Sequence, residues 1–527
     1  MKIRLRALLV MLLVLGGASA GFAQTTLVFG VTSAPRTFNP WVTNDSASWT
    51  AMDMMYSGLT RLDAAGSPAP DLAESWEVSG DGLEYVFHLD PDARWHDGEP
   101  VTATDVKFTF EALLHPDTNS VWASRYTLIA GAKAYRAGDA QGVEGVEVVD
   151  EHTVRIALEA PLAPFLSYVS LQTPIMPSHL LSGVAPAQFE GNAFFDAPVG
   201  SGAYKFVRYE SGQFVEYDAF ESFHLGNPGF AKLFLRIGTT DTLLVQLQRG
   251  EVQVAPLNPH EVELVAAMPG VEVLSYPTSI VQAININLTR APLQDVRVRQ
   301  AIAYAIDRER LATIVLGEYG NVASSPLMAP DWVLTDDLTV YGFDLDKARA
   351  LLQEAGWNAS THLTLRYPSG NRPREAAAAV IQQALAAAGI QVDLSISDFA
   401  TLNADAAAGN FDLLLLGNQT IGDPDYIASQ YTSYTAPPAG VNYMHYANPR
   451  VDELLEAGRT TADQAARYDL YRQFQQIVTE DLPKVFLYVD PEIYAVSDGL
   501  TGISPANGVG LLRSLYWNIF EWRPKGN

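Results

Sequence analysis

The alternation of strand and helix patterns in the second half of the chain most restricts the fold that this sequence can adopt. Residues 363–367 and 391–396 are typical of strands, and residues 375–388 between them are rich in helix formers and stop at Gly389. Residues 411–416 form another apolar segment of strand length. This βαβ order predicts an α/β fold whose mainly parallel sheet is covered by helices, with ligands at the carboxyl ends of its strands.

The chain is long enough to form several packed units. Its 527 residues are roughly three to four times the usual length of one domain. We predict that the backbone crosses between two halves near residues 276–279 and crosses back near residues 488–497. In the first half, Thr102 followed by Asp105 predicts a capping box at the start of a helix.

The composition excludes several classes of function. The chain has 60 Asp and Glu against 34 Lys and Arg, and the resulting net charge of -26 opposes binding to nucleic acid or to an anionic membrane. It has no Cys, which excludes disulfides, thiolate nucleophiles and zinc–thiolate sites. Hydrophobic residues make up 48%, enough to form the cores of a globular protein.

The amino-terminal residues are typical of a secretory signal peptide. Lys2, Arg4 and Arg6 precede the apolar run 7–15, which is shorter than the roughly 20 residues that span a bilayer, and small residues follow it. We therefore predict that residues 1–23 are removed on export. Because no Cys follows them, we expect the mature protein in the periplasm, with neither a lipid anchor nor a membrane-inserted segment.

The sequence completes none of the catalytic motifs considered below, so we predict that the protein is not an enzyme. His260-Glu261 lacks the second histidine of a zinc-protease motif, since position 264 is Leu, and no phosphate-binding or dinucleotide-binding glycine loop is present. Gly200-Ser201-Gly202 has the wrong glycine spacing for a nucleophile elbow and predicts a tight turn. Asp423 with Asp425 would serve a glycosidase only across a cleft. We expect no metal, no cofactor and no catalytic residue.

Six segments, in order along the chain, form a recognisable series. The longest contains Leu72-Ala73-Glu74-Ser75-Trp76 and Trp95-His96-Asp97-Gly98-Glu99-Pro100, and the others are residues 198–206, 247–252, 295–307, 348–357 and 448–455. The series resembles solute-binding protein family 5, which comprises dipeptide-, oligopeptide- and nickel-binding proteins of ABC importers. The resemblance covers essentially the whole chain after the predicted signal peptide.

This resemblance implies a two-lobe clamshell of the periplasmic-binding-protein type, similar to type II, with an extra subdomain in the first lobe. We expect the first lobe in residues 24–275 plus 498–527, with the subdomain at about 59–175, and the second lobe in residues 276–497. The resemblance also implies a monomer that closes over its solute and delivers it to an ABC permease with its cytoplasmic ATPase subunits.

The resemblance also implies candidate ligand contacts. In peptide-binding relatives an Asp pairs with the peptide ammonium, but this chain has Thr420 at that position, followed by Asp423-Pro424. A hydroxyl cannot neutralise an ammonium, so the main anchor for a free amino terminus is lost unless Asp423 swings in. Arg366 lies near the position that holds a carboxylate in dipeptide-binding relatives, and Arg372 or Arg374 is an alternative. The other expected cleft residues are Trp122, Asn258, Gly417, Asn418 and Tyr488.

A peptide or peptide-like solute is the ligand that the resemblance favours. An oligosaccharide is the first alternative, because Thr420 lacks the charge for an ammonium and aromatic residues at 10% offer surfaces for sugar rings. A nickel chelate is a further alternative within the same family. A secreted hydrolase would be a different class of protein, and it would need a catalytic pair that the sequence does not offer.

Overall fold

The computed structural model describes residues 26–526 except 44, 172, 329, 421, 439, 505 and 507–514, so the predicted signal peptide lies outside the described residues. Its strands are β1 (Thr26–Val31), β2 (Thr60–Leu62), β3 (Pro68–Pro70), β4 (Ala73–Val78), β5 (Glu84–Leu89), β6 (Val146–Asp150), β7 (Thr153–Ala157), β8 (Tyr204–Glu210), β9 (Phe214–Ala219), β10 (Lys232–Ile237), β11 (Val254–Pro256), β12 (Val271–Ile286), β13 (Asn321–Val322), β14 (His362–Pro368), β15 (Gln391–Ser397), β16 (Leu413–Gln419), β17 (Lys484–Ser497), β18 (Leu500–Thr501) and β19 (Arg523–Pro524). Its α-helices are α1 (Ser46–Met52), α2 (Ala103–Leu114), α3 (Ala132–Ala137), α4 (Phe165–Leu171), α5 (Ser178–Leu181), α6 (Thr240–Gln248), α7 (Val262–Ala266), α8 (Ala291–Gln294), α9 (Val296–Ala305), α10 (Arg308–Leu316), α11 (Leu345–Glu354), α12 (Arg372–Ala388), α13 (Phe399–Ala407), α14 (Pro449–Thr460) and α15 (Gln464–Asp481).

The βαβ order predicted for the second half of the chain is confirmed, but the prediction of a mainly parallel sheet is wrong, because β12 pairs antiparallel with both β16 and β17. Strand β14 lies between β15 and β16 and pairs in parallel with both. Helix α12 begins at Arg372, earlier than the pattern predicts, because the Asn371 side chain accepts a hydrogen bond from the Arg374 backbone N–H. The helix ends at Gly389, whose φ of 97° is a left-handed conformation that glycine adopts without a Cβ penalty.

One large sheet runs through both halves of the chain. Its strands lie in the order β15-β14-β16-β12-β17-β11-β1-β10-β9-β8, and β13 also pairs with β17. The central neighbours β12 and β17 are antiparallel and contain 16 and 14 residues. Strands of the second half adjoin them on one side and strands of the first half on the other. The two long strands are therefore common to both halves.

The pairing of β12 with β17 is interrupted within both predicted crossings. Pro277 pairs with Pro491, and the next pair is Val281 with Val489. The residues of β12 between these pairs have no ladder partner on β17, although the Thr278 hydroxyl donates to the Asp490 carbonyl at 2.8 Å, so the ladder is bulged there. The bulge lies within the two segments where we predict the crossings, and the crossings and the boundaries between the halves stay predictions.

The apolar side chains are buried in separate cores for the two halves. One core is built mainly from residues 27–235 and residues 500–522, and two others contain side chains from residues 281–489 only. We call the first group the first lobe and the second group the second lobe. Each lobe thus has its own core, and β12 and β17 connect them.

A separate antiparallel sheet, β4-β5-β7-β6, lies within the predicted subdomain of the first lobe. Helix α2 packs against it, and the predicted capping box at the start of α2 is confirmed. The Thr102 backbone N–H donates to Asp105 Oδ2 at 2.8 Å. The other carboxylate oxygen of Asp105 accepts from the Ser178 backbone N–H at 2.8 Å, so one buried carboxylate joins α2 to the start of α5.

The predicted turn at Gly200-Ser201-Gly202 is packed directly on the backbone after α1. The backbone N–H of Gly202 donates to the Met55 carbonyl at 2.9 Å, and His96 N–H donates to the Gly200 carbonyl at 2.8 Å. A Cβ on Gly200 would lie 1.8 Å from the Met55 carbonyl oxygen. Only glycine fits this close approach, so the motif serves to join segments of the first lobe.

We expect Gly200→Ala to lower the free energy of unfolding by about 3 kcal/mol, because the added methyl group forces two backbone segments apart. Gly80→Ala is the matched control, since a Cβ there meets nothing within 4 Å. Urea unfolding followed by circular dichroism measures both variants. Equal stability of the two variants would contradict this account of the turn.

A lysine in the second lobe is buried without an acidic partner among the described residues. Lys484 is 1% exposed, donates to Gln430 Oε1 at 2.7 Å and lies 4.8 Å from the centre of the Tyr431 ring. Burial lowers its pKa to about 7. In the unfolded chain its pKa is near the ordinary lysine value, so between these two values the unfolded state holds the extra proton and stability rises with pH.

We therefore expect Lys484→Met to raise the free energy of unfolding by at least about 1 kcal/mol at pH 6.5, with a gain that shrinks towards pH 10. Urea unfolding at pH 6.5, 8 and 9.5 measures the trend. Lys133→Met, at a lysine whose side chain is 61% exposed, is the control and should show no such trend. A stability gain of Lys484→Met that grows with pH would contradict a lowered lysine pKa in the folded state.

Candidate functional site

A cavity of about 630 Å³ lies where the two long strands pass between the lobes. The first lobe contributes Thr32 and residues 239–241 and 256–259, and the second lobe contributes residues 370–373, at the start of α12. Residues 490–492 of β17 form the part shared by both lobes. A solute in this space would contact both lobes at once, as a ligand that stabilises a closed conformation must.

A smaller cavity of about 230 Å³ adjoins it on the side of the first lobe. The two cavities have Thr32, Pro256 and Glu492 in common. Phe29, Tyr494 and Tyr516 line the smaller one, and the Phe29 ring lies 5.9 Å from that of Tyr494 and 5.8 Å from that of Tyr516. One aromatic wall therefore stands next to the Glu492 carboxyl group.

A chain of polar side chains lies between β12 and the start of α12. Arg374 Nε donates to Gln282 Oε1 at 3.0 Å, and Gln282 Nε2 donates to Asp490 Oδ2 at 2.6 Å. Burial raises the pKa of Asp490, opposed by the Gln282 hydrogen bond and by the charge of Arg374. Burial also lowers the pKa of Arg374, opposed by Asp490. The two charges stabilise each other; Asp490 lines the cavity, and Arg374 lies beside it.

Glu492 lies opposite Tyr276 across the β12–β17 ladder. Its Oε2 and the Tyr276 hydroxyl are buried and lie near each other, but neither forms a well-aligned hydrogen bond with a described residue. Burial raises the pKa of Glu492 to about 8. A carboxyl group that is both enclosed and unpaired favours its neutral form until a cation comes near it.

A second contact between the lobes lies in the predicted subdomain. The Tyr168 hydroxyl of α4 donates to Asp425 Oδ2, and Arg459 Nε of α14 donates to both oxygens of Asp425 at 3.2 Å. The Asp425 side chain is fully buried. The Ala163 backbone N–H also donates to the Arg459 carbonyl at 2.8 Å. These bonds join the first lobe to the second through residues that lie outside the crossing strands β12 and β17.

Aromatic rings surround an arginine at the same contact. The guanidinium carbon of Arg125 lies 4.5, 5.0 and 4.8 Å from the ring centres of Trp122, Tyr168 and Tyr426. Tyr426 belongs to the second lobe and the other two rings to the first. Cation–π attraction therefore adds to the contact between the lobes.

Two of the residues predicted from the sequence lie at or beside the cavity. Asn258 lines it, and its side chain also donates to Glu261 Oε2 at 3.0 Å. Tyr488 is fully buried near Arg374 and Asp490, and its hydroxyl has no partner within the described part of the chain. Ligand contact by these two residues stays a prediction.

Three predicted residues lie on β16 or directly after it. Gly417 faces Gln282 in the β12–β16 ladder, and a Cβ there would lie 2.6 Å from Gln282 Nε2, so the glycine makes room for that amide. Asn418 is half-buried next to it. Thr420 is 1% exposed, and its carbonyl accepts from the Ser279 hydroxyl. None of the three lines the cavity of about 630 Å³.

The structure gives the remaining three predicted residues other partners. Both oxygens of Asp423 accept from Arg467, at 2.9 and 2.6 Å, in a buried pair. Arg366 Nη1 donates to Asp405 Oδ2 at 2.8 Å. Trp122 is 5% exposed and donates to the Pro40 carbonyl at 2.9 Å. The geometry favours structural roles for these side chains over the predicted ligand contacts, and Asp423 is not free to swing towards Thr420.

Gln282, Asp490 and Glu492 were not among the residues predicted from the sequence. The available signal was the presence of two carboxylates, two residues apart, in the mainly apolar strand β17. Alternate residues of a strand face the same side, so the pair indicates a polar surface beside the crossing. No group of three or more side chains suited to hold a metal occurs in the described ranges, and none of the helices described is long and apolar enough to cross a bilayer.

A family model and a curated relative both match most of this chain and both describe solute-binding or peptide-binding proteins. The family described as "Bacterial extracellular solute-binding proteins, family 5 Middle" matches residues 67–438. Di/tripeptide-binding protein 2 of Pseudomonas aeruginosa is 30% identical over 498 residues, which are 91% of this chain and 92% of that protein.

Solved structures of the same kind resemble the whole described fold. The oligopeptide-binding protein AppA of Bacillus subtilis, in complex with a nonapeptide, has a TM-score of 0.83 at 26% identity and covers 95% of this chain and 99% of its own. NikZ of Campylobacter jejuni, in complex with Ni(L-His), has the same TM-score, identity and coverage. The two-lobe fold of the predicted class is thus confirmed. Because the family match spans most of the sequence and the fold agrees over nearly its full length, this chain belongs to the bacterial extracellular solute-binding proteins of family 5.

Proposed function

We propose that this protein binds a peptide or peptide-like solute between its two lobes and delivers it to the permease of an ABC importer. The observation that carries the proposal is the cavity of about 630 Å³, which both lobes line at the crossing strands. The names of relatives support the peptide, since proteins similar over nearly the whole chain are named for oligopeptides or for di- and tripeptides.

The charges of the cavity suit a peptide. A free peptide carries an ammonium at one end and a carboxylate at the other, and each needs a countercharge in an enclosed site. Arg372 and Asp490 line the cavity, and Arg374 lies beside it in contact with Gln282. Both signs of charge are therefore present within one space. A solute with a single sign of charge would leave one of them unmatched.

A nickel chelate is the second candidate, because NikZ has the same fold and binds Ni(L-His). Such a ligand brings its own metal-binding groups, so the protein need not supply a cluster of metal ligands. An oligosaccharide, the remaining alternative, would stack on the aromatic wall of Phe29, Tyr494 and Tyr516. We further propose that the protein acts as a monomer, without enzymatic activity, and is free in the periplasm after removal of its signal peptide.

A screen of solutes by thermal denaturation tests the ligand class. We expect peptides of two to nine residues to raise the melting temperature, since a ligand at 100 times its dissociation constant stabilises the protein by about 2.7 kcal/mol. Oligosaccharides and Ni(L-His) are the comparison sets. A rise with only one of those sets would overturn the peptide assignment, and turnover of any solute would overturn the binding role.

Removal of the Tyr168 hydroxyl tests closure. We expect Tyr168→Phe to weaken solute binding about three- to tenfold, because the closed conformation loses its hydrogen bond to the buried Asp425 carboxylate. Calorimetry measures affinity, and small-angle X-ray scattering should show a larger radius of gyration without solute.

Tyr126→Phe is the matched control for this variant. Its hydroxyl is also buried, but its hydrogen bond to Thr173 stays within the first lobe. We expect it to lower stability while leaving affinity within about twofold of the unmodified protein. The same loss of affinity in both variants would show that the Tyr168 bond does not act through closure.

A further inference from the structure

Among the described residues, Glu492 is the one carboxyl group that lines both cavities at the crossing strands. It forms no ion pair within the described part of the chain, whereas its neighbour Asp490 has the Gln282 amide and the nearby charge of Arg374. Its Oε2 is buried and has the Tyr276 hydroxyl as a neighbour, but no described cation. An unpaired carboxyl group in an enclosed space is costly to the folded protein unless something binds it.

A second observation at the same place points to a ligand. The Tyr276 hydroxyl, on a residue that is 5% exposed, faces Glu492 across the ladder, and its contact with that carboxyl group is not a well-aligned hydrogen bond. Polar atoms buried in a protein are nearly always hydrogen-bonded. The Tyr276 hydroxyl can donate only one hydrogen bond, so the other acceptor sites of the Glu492 carboxyl group are left for a group that supplies several donors.

The aromatic wall of the smaller cavity favours a positive charge on the group that binds beside Glu492. Tyr494 and Tyr516 line the cavity beside Glu492, and the Tyr276 ring stacks on that of Tyr494 with centres 6.4 Å apart. Ring faces attract cations and disfavour anions. The tyrosine rings beside the Glu492 carboxyl group therefore favour an ammonium or guanidinium group over an anion.

We propose that Glu492 binds a cationic nitrogen of the transported solute, an ammonium or a guanidinium, and so supplies the anionic anchor that Thr420 does not. The inference rests on the proposed function, because it names the chemistry of the solute that enters the same cleft. Thr420 is buried in the second lobe, outside both cavities, whereas Glu492 stands between them. In this proposal the carboxyl group that binds the cation lies on the crossing strand β17 and not in the loop after β16.

Glu492→Gln tests the proposal, since it keeps the shape of the side chain and removes its charge. The probes are Ala-Ala-Ala, its N-acetylated form, N-acetyl-Ala-Lys-Ala and 1,5-diaminopentane, measured by calorimetry. We expect every cationic probe that binds the unmodified protein to bind the variant at least tenfold more weakly. Glu272→Gln, at an exposed carboxylate on β12, is the matched control and should change affinity less than twofold.

The probes separate the source of the cation. If only Ala-Ala-Ala binds the Glu492→Gln variant more weakly, Glu492 binds the peptide ammonium. If N-acetyl-Ala-Lys-Ala also binds the variant more weakly, Glu492 binds a basic side chain. Binding of the diamine without any peptide would overturn the peptide function and retain the role of Glu492. Peptide binding that is equal in the unmodified protein and the Gln variant would retain the function and overturn the inference, as would the absence of binding by every cationic probe.

The protein without solute provides an independent check. The pKa of Glu492 is raised to about 8 in the folded state, so its proton is held more tightly there than in the unfolded chain, and stability falls as pH rises towards 8. The charged and titratable groups around it are Tyr276, Tyr494, Tyr516, Asp241, Asp490 and Arg372. We expect Glu492→Gln to raise the melting temperature more at pH 8.5 than at pH 5. A variant less stable than the unmodified protein at pH 8.5 would contradict an unpaired carboxylate.

Discussion

The pairing of β12 with β17 is the constraint on which the rest of the structure depends. These strands are the centre of a sheet whose two sides belong to different lobes, so any movement of one lobe against the other must bend them. The bulge between Pro277 and Val281 interrupts their ladder at the junction. A regular ladder would be stiffer there. At the bulge the Thr278 hydroxyl donates to the Asp490 carbonyl and accepts from the Ile280 backbone N–H in place of ladder bonds.

The same crossing explains why charge is used so differently in two parts of the protein. Asp423 and Arg467 form a closed, bidentate pair inside the second lobe, where each charge compensates the other permanently. Asp490 and Glu492 lie on the strand that both lobes share, and there compensation is partial or absent. A site that binds a charged solute must keep some of its own charge unpaired, because a fully satisfied carboxylate gains little from a ligand.

Local sequence patterns predicted the second-lobe strands, the α12 helix and the α2 capping box, because each depends on neighbouring residues. They did not identify Gln282, Asp490 or Glu492 as cavity residues, since that depends on the register of strands some 200 residues apart in sequence. The family resemblance indicated the correct fold but transferred Asp423 and Arg366 as ligand contacts. Their partners, Arg467 and Asp405, arise from helices whose packing no local pattern specifies.

The contact between Tyr168 and Asp425 bears on how tightly a solute can bind. A solute that needs the closed conformation binds with its intrinsic affinity multiplied by the fraction of molecules already closed. Asp425 and Arg459 stay paired within the second lobe whether or not Tyr168 reaches them, so opening exposes a compensated pair and not a lone charge. The cost of opening is therefore moderate. A contact of this kind raises the fraction of closed molecules without closing the protein irreversibly. Which solute stabilises the closed conformation then depends on the charges that it matches at the crossing strands.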